Sequence, residues 1–201
     1  MGNCNTSPTH SNLDLIKKPS WEKDKHQYKT IILGDQNVGK TSIIQFLIQE
    51  KHSEIYKPTL GFAYQQKLLK VANGEQVCLQ IWDTAGSDAY KELISLFYRN
   101  SNAVLLVFDH SNKKSLDNIR YWIEELQNRI DLNEVIIVVI GNKWDLVKGL
   151  NEEERVTEEE IREACLGESY RIFNTSSLQG VNIKELFQYV AEQCYQKFAT
   201  G

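Results

Sequence analysis

The pattern of apolar and polar positions changes near Tyr28. Beyond it, short apolar runs of strand length alternate with segments whose apolar residues recur at helical spacing. This alternation is typical of a mostly parallel sheet with helices on both faces, so we predict an α/β fold with six strands. The predicted strands are residues 28–33, 62–71, 75–82, 103–109, 134–141 and 171–174.

One neighbouring pair of strands should run antiparallel. Asn73-Gly74 lies between the second and third predicted strands, and this dipeptide is the strongest short-range hairpin signal. Helical spacing of apolar residues predicts a long amphipathic helix over 116–130 and a last helix over 183–198. Thr157 and Glu160 have the spacing of a capping box, which predicts a further helix whose acidic residues form a solvated face.

Composition and charge exclude several classes of protein. The 201 residues, 41% hydrophobic and 25% charged, suit one globular domain over 28–201, with residues 1–27 as a flexible arm. The net charge of −4 argues against a nucleic-acid binder, and no apolar run is long enough to span a bilayer. The four cysteines are widely spaced, which argues against a zinc site or disulfide framework and favours a cytosolic protein.

A glycine-rich motif follows the first predicted strand. Residues 34–41 match G-x-x-x-x-G-K-[ST] and precede an apolar-periodic helix. Main-chain N–H groups of such a loop bind phosphate oxygens, Lys40 neutralises the β and γ phosphates, and Thr41 offers a hydroxyl to Mg²⁺. The alternative is a turn that only connects strand to helix. The predicted contacts are Gly34, Asp35, Gln36, Asn37, Val38, Gly39, Lys40, Thr41 and Ser42.

A second motif, Asn142-Lys143-Trp144-Asp145, bears on the choice of base. It follows the fifth predicted strand, at the sheet edge where open α/β sheets bind ligands. A carboxylate at Asp145 can accept from both N1–H and the exocyclic amine of guanine, whereas adenine has no such pair of donors. Taken alone, the motif is also compatible with an ordinary loop. With the segment after the last strand, the predicted base contacts are Asn142, Lys143, Asp145, Ser176, Ser177 and Leu178.

Two further segments indicate the metal and the γ phosphate. Asp83 ends the third predicted strand, where its carboxylate suits Mg²⁺ through water, and the N–H of Gly86 can approach a γ phosphate. The same segment is also compatible with a turn that ends a strand. Thr59, between the glycine-rich loop and the hairpin, can reach the metal when a γ phosphate draws its loop in.

These segments, in this order, resemble the small GTPases of the Ras superfamily. Residues 59–64, 79–86 and 96–99 are most similar to the two switch regions of the Rab family. The resemblance implies a P-loop NTPase fold, GTP or GDP with Mg²⁺, and a monomeric GTP-hydrolysing switch that regulates vesicular membrane traffic. It also implies effector proteins, an exchange factor and an activating protein as partners, with catalytic roles for Lys40, Thr59, Gly86 and Ser87.

By the same resemblance, Tyr64, Trp82 and Phe97 form the aromatic surface that Rab proteins present to effectors. The alternative is that Trp82 and Phe97 are core residues between sheet and helix, because aromatic side chains pack more often than they signal.

The chain departs from the family pattern in its catalytic segment. Ser87-Asp88 replaces the glutamine and glutamate that usually follow this glycine, which predicts slow intrinsic hydrolysis. Gln36 and Asn37 add bulk where small residues are usual and are expected to crowd an activator's side chain. The alternative function is therefore a guanine-nucleotide-binding scaffold with little or no hydrolysis.

The first residues match a lipidation pattern. Met1-Gly2-Asn3-Cys4-Asn5-Thr6 fits the N-myristoylation motif, with Cys4 as a palmitoylation candidate, whereas residues 197–201 lack the terminal cysteines that Rab proteins usually carry. Two acyl chains anchor a protein stably where one does not. The pattern resembles N-terminally acylated, early-endosomal Rab proteins and implies a peripheral protein on the cytosolic face of an endosome-like or plasma membrane. The alternative is an unstructured start with a chance glycine.

Overall fold

A six-stranded sheet with the order β2-β3-β1-β4-β5-β6 runs through the computed structural model, which describes residues 26–51, 62–84 and 97–199. Only β2 and β3 pair in the antiparallel sense, and the other neighbouring pairs are parallel. The predicted sheet is therefore confirmed. The strands are β1 (Gln27–Gly34), β2 (Phe62–Lys70), β3 (Gln76–Thr84), β4 (Ala103–Asp109), β5 (Ile136–Asn142) and β6 (Arg171–Asn174).

The β2–β3 hairpin turns at the predicted dipeptide. Gly74 has a φ of 92°, a left-handed conformation that a residue without Cβ adopts at little cost. Its N–H donates to Val71 O at 2.8 Å, and the Val71 N–H donates to Glu75 O at 3.0 Å. Val71 and Glu75 thus belong to the turn, and each strand is one residue shorter at this end than predicted.

Four α-helices cover the two faces of the sheet in the described ranges. They are α1 (Lys40–Gln49), α2 (Lys113–Gln127), α3 (Glu158–Ala164) and α4 (Ile183–Phe198). Apolar residues of α1 and α4 form one core with the sheet, and those of α2 and α3 form the other. Strand β1 serves both cores, because successive side chains point to opposite faces: Ile32 lies in the first core, and Ile31 and Leu33 in the second.

The predicted helices are present, but α2 begins three residues earlier than predicted, at Lys113, and also ends earlier. Helix α2 stops at Gln127, so Ile130 lies beyond it, packed against the second core. The capping box of α3 is present: the Glu160 N–H donates to Thr157 Oγ1 at 3.1 Å, and the Thr157 N–H donates to Glu160 Oε2 at 2.7 Å.

Strand β1 begins at Gln27, one residue before the predicted start of the domain. Residues 1–25 lie outside the described ranges, and the division into arm and domain stays a prediction. Within the described ranges no helix combines the length and the apolar character needed to cross a bilayer. The parallel strands bring their carboxyl ends to one edge of the sheet, where the motifs of the candidate site follow β1, β3, β5 and β6.

Candidate nucleotide-binding site

The loop from β1 to α1 folds around the side chain of Lys40. Its Nζ donates to the main-chain oxygens of Gly34 and Asp35, both at 2.8 Å. The side chain is buried at the start of α1. Burial lowers the pKa of Lys40 to about 8, against the opposing charges of Asp83 and Asp35. The ammonium is thus desolvated and poised to meet anionic phosphate, whose charge compensates for the lost water.

Two glycines of this loop have no room for a side chain. A Cβ at Gly34 (φ 142°) would lie 2.2 Å from Val107 O, and a Cβ at Gly39 (φ 98°) would lie 2.2 Å from Asn142 Nδ2. The glycines of the motif therefore let the loop pass close to β4 and to the end of β5, in addition to supplying φ angles that other residues rarely adopt.

The middle of the loop is open on one side and anchored on the other. Gln36 and Asn37 are exposed, and Asn37 has a left-handed φ of 66°. Val38 is buried in the core beneath them. Asp35 Oδ2 accepts from Asn118 Nδ2 of α2 at 2.6 Å, which fixes the start of the loop to the opposite face. Asn118 carries no sequence signal for this contact, because no local motif marks an asparagine on a helix as a loop anchor.

Thr41 and Asp83 bring two oxygen groups together beside Lys40. Thr41 Oγ1 donates to Asp83 Oδ2 at 2.7 Å, and the aspartate is buried at the end of β3. Ser42 follows in the first turn of α1. A hydroxyl and a carboxylate are the hard ligands that Mg²⁺ prefers, so the residues present fit the predicted metal.

Asn142 joins three loops. Its Nδ2 donates to Val38 O at 2.9 Å and lies 3.3 Å from Ser177 Oγ. Its Oδ1 accepts from the Ser177 N–H at 3.1 Å and from Thr175 Oγ1 at 3.2 Å. The side chain is fully buried, so the structure gives it a bracing role between the phosphate loop and the two predicted base-contact segments.

Asp145 faces the loop that follows β6. Its Oδ1 accepts a hydrogen bond from Ser176 Oγ, and the Trp144 N–H donates to Thr175 O at 2.9 Å. Lys143 has a left-handed φ of 61°, and its Nζ lies 2.6 Å from Asp109 Oδ2. The exposed Leu178 completes the set, so the structure brings the predicted base contacts to the edge that carries the phosphate loop.

Comparison with known proteins agrees with this arrangement. The model of the Ras family matches residues 29–196. The chain belongs to the Ras family. It is 31% identical to Ras-related protein Rab-5B of Plasmodium falciparum (isolate 3D7) over 191 residues, which cover 93% of this chain and 89% of the relative. It is also 31% identical to GTP-binding protein YPT52 of Saccharomyces cerevisiae (84% and 82% covered), and 34% identical to Ras-related protein Rab-17 of Mus musculus (84% and 76% covered). This small GTPase of the Ras superfamily is thus most like the Rab proteins.

Aromatic side chains form a continuous patch on the β2–β3 side of this small GTPase. The ring centroid of Trp82 lies 5.0 Å from that of Tyr64 and 5.1 Å from that of Phe97, and Phe62 lies 4.7 Å from Phe97. Phe62 and Tyr64 are exposed by 53% and 41%, whereas Trp82 and Phe97 are half-buried against the second core. Trp82 and Phe97 thus pack between sheet and helix, while the solvent-facing side of the patch leaves its role toward effectors a prediction.

Phe62 was not assigned to this patch from the sequence, although a signal was present. Side chains two residues apart on a strand share a face, so Phe62 must join Tyr64 once β2 is assigned. We call Phe62, Tyr64, Trp82 and Phe97 the aromatic patch.

Some predicted site residues lie outside the described ranges. These are Gly2 and Cys4 of the lipidation motif, Thr59 of the first switch segment, and Gly86 and Ser87 of the second. Their roles stay predictions.

Proposed function

We propose that this small GTPase is a GTP-binding and GTP-hydrolysing switch of the Rab type, which regulates vesicular membrane traffic through nucleotide-dependent effector binding. The observation that carries the proposal is the convergence of the Lys40 loop, the Thr41–Asp83 pair and the Asp145–Ser176 pair at one edge of the sheet. Phosphate, Mg²⁺ and guanine then each meet groups of matching chemistry. The names of the relatives, Rab or GTP-binding, agree with it.

The nucleotide is held at both ends. Main-chain groups of residues 34–42 and the Lys40 ammonium bind the phosphates, with the N-terminus of α1 directed at them. At the other end, the Asp145 carboxylate accepts from guanine, while Ser176, Ser177 and Leu178 lie along the base edge. Lys143 and Asn142 support the base from the end of β5.

Thr41, Asp83 and Thr59 would hold Mg²⁺. When bound, the ion neutralises phosphate charge and favours in-line attack of water on the γ phosphate. Thr41 and Asp83 already form a hydrogen-bonded pair, whereas Thr59 would become a ligand of the ion only in the GTP-bound form.

The switch acts through surfaces next to the γ phosphate. With GTP bound, Thr59 and Gly86 contact the metal and the γ phosphate, and the aromatic patch binds effectors. Its exposed rings, Phe62 and Tyr64, suit this role, because aromatic anchors dominate protein interfaces. The monomeric protein then requires an exchange factor to load GTP and an activating protein to remove it.

A scaffold that binds guanine nucleotide without hydrolysing it is the second candidate, and Ser87 favours it. A serine is too short to orient the attacking water as a glutamine does, so intrinsic hydrolysis is slow. We expect Ser87→Gln to raise the single-turnover rate of GTP hydrolysis by about tenfold or more. Radiolabelled or fluorescent GTP, preloaded on the protein and followed to GDP, measures that rate.

Ser169→Gln is the matched control, since it introduces the same side chain at an exposed position away from the site. An unchanged or lower rate in Ser87→Gln would show that another group, such as the bulky Gln36, limits hydrolysis. Hydrolysis below detection in the parent, even with cell extract added as a source of activating protein, would favour the scaffold.

Membrane attachment is proposed to use acyl chains on Gly2 and Cys4, which places the protein at the cytosolic face of an endosome-like or plasma membrane. We expect Gly2→Ala to move the protein from the membrane to the soluble fraction, because alanine does not accept myristate. Cys4→Ser leaves one chain and so gives reversible, partial attachment. Cell fractionation of tagged proteins measures both effects, with Asn3→Ala as the control that keeps Gly2 in place. A Gly2→Ala protein that stays membrane-bound would refute the anchor.

A further inference from the structure

A buried histidine lies between the two segments proposed to contact guanine. His110 follows the last residue of β4 and is only 2% exposed. Its main-chain N–H donates to Asn142 O at 3.0 Å, at the end of β5. Its ring is 4.9 Å from the ring of Trp144, in an edge-on arrangement, and makes a similar contact with Phe108.

The imidazole reaches across β5 to the neighbouring strand. Its Nε2 lies 2.9 Å from Oδ1 of Asn174, the last residue of β6. The ring crosses at Gly141, where a Cβ would lie 2.2 Å from Nε2. A glycine at this point of β5 therefore opens the path that joins β4 to β6.

The hydrogen bond to Asn174 sets the tautomer of the imidazole. Because the amide oxygen of Asn174 accepts, Nε2 carries the hydrogen. The other ring nitrogen, Nδ1, is buried and has no hydrogen-bond partner in the described part of the chain. Burial lowers the pKa of His110, against the opposing effects of the Asn174 hydrogen bond and the Asp109 carboxylate. The ring is thus neutral and links the two segments without carrying charge.

Two of the ring's contacts, with Trp144 and Asn174, lie next to residues predicted to contact guanine. Trp144 is the residue before Asp145, and Asn174 is followed by Thr175 and Ser176. The Trp144 N–H donates to Thr175 O, and Ser176 Oγ donates to Asp145, so the two segments are already joined at their tips. His110 joins the same two segments a second time, where they leave the sheet. The two segments are therefore connected both by these direct hydrogen bonds and through the imidazole ring.

We propose that His110 is a positioning residue for guanine recognition, which holds residues 143–145 and 175–177 in register so that the Asp145 carboxylate meets the base. The inference rests on the proposed function, because it assumes that this site binds guanine nucleotides. His110 itself does not touch the ligand. Its effect passes through Trp144 and Asn174.

The test compares GDP with inosine diphosphate, which lacks the exocyclic amine that Asp145 is proposed to bind. The parent is expected to bind GDP more tightly than inosine diphosphate. His110→Ala should lower that ratio of affinities by about 3- to 10-fold and speed release of a fluorescent GDP analogue, since one buried hydrogen bond and two ring contacts are lost. His110→Gln, which keeps a donor for Asn174, should recover part of the ratio.

Asn174→Ala keeps the imidazole in place and removes only its acceptor, so it tests the hydrogen bond even if His110→Ala does not fold. It should lower the ratio in the same direction. The control is His26→Ala, which removes the ring that contacts Tyr195 in α4, away from the site. This variant should keep the parental ratio.

The outcomes separate the inference from the proposed function. A parent that does not prefer GDP to ADP would refute guanine binding itself. A parent with that preference, whose His110→Ala and Asn174→Ala variants keep the parental ratio and release rate, would overturn the role of His110. Equal loss of affinity for GDP and inosine diphosphate, with a lower melting temperature, would also overturn it, because this is the result of general destabilisation.

Discussion

Replacing Lys40 with alanine is expected to weaken GDP binding by about 10- to 100-fold. The ammonium is buried, and its hydrogen-bond partners are two neutral main-chain oxygens of the loop, so a bound phosphate gives it a directly contacting anion. Charge-assisted hydrogen bonds of this kind contribute about 1.5–3 kcal/mol, and each 1.4 kcal/mol changes affinity tenfold. Titration calorimetry of the parent and Lys40→Ala with GDP and Mg²⁺ measures the loss.

Lys67→Ala is the matched control, because Lys67 also donates to a main-chain oxygen, that of Leu47, at 2.9 Å. It lies on β2, outside the phosphate loop, and its removal should leave GDP affinity within about twofold of the parent. If Lys40→Ala, with an unchanged circular dichroism spectrum, bound GDP as tightly as the parent, the loop would not be the phosphate site.

Changing Asp145 to asparagine is expected to reverse the choice of base. The asparagine amide no longer offers two acceptors to guanine, so GDP affinity should fall by about 10²- to 10³-fold. Xanthine carries an oxygen in place of the exocyclic amine, and the new N–H₂ can donate to it. Xanthosine diphosphate should therefore bind the variant more tightly than GDP does, in a competition assay with a fluorescent nucleotide.

The control for this change is Asp131→Asn, which alters an exposed aspartate that accepts from the Asn133 N–H at 2.9 Å, before β5. It should keep the parental preference for GDP. Should Asp145→Asn retain GDP affinity and gain none for xanthosine diphosphate, the base would lie elsewhere.

The positions of the strands and helices along the chain were predictable because the sequence signals for them are local. Apolar runs and helical spacing located the six strands and the long helices of the described ranges, and Asn73-Gly74 identified the antiparallel pair among those strands. The errors are confined to ends: Val71 and Glu75 fall in the turn, β5 begins at Ile136 rather than at Glu134, and α2 begins at Lys113 and stops before Ile130. An apolar residue that packs just past a helix end keeps the helical spacing, so periodicity alone cannot exclude it.

The site was predictable where a motif is contiguous and hidden where contacts join distant segments. Short contiguous motifs contain Lys40, Thr41 and Asp145, and each motif matches one kind of ligand group. Asn118 contacts Asp35, and His110 contacts Trp144 and Asn174, all far away in the chain, and no pattern in one sequence reveals such pairs.

Asn142 shows an intermediate case. Its motif was recognised and it was assigned to the base, but its side chain braces Val38, Thr175 and Ser177. That role depends on the parallel order of β1, β5 and β6, which brings the three loops together only in the folded chain.

The central claim, that this edge of the sheet binds guanine nucleotides, is tested most directly by competition. The full chain, stripped of nucleotide and reloaded with a fluorescent GDP analogue in the presence of Mg²⁺, is titrated with GDP, GTP, ADP and ATP. We expect GDP and GTP to displace the analogue at concentrations at least about 1,000-fold lower than ADP and ATP, because Asp145 pairs with donors that adenine lacks. Displacement by ADP at concentrations similar to those of GDP would contradict the account.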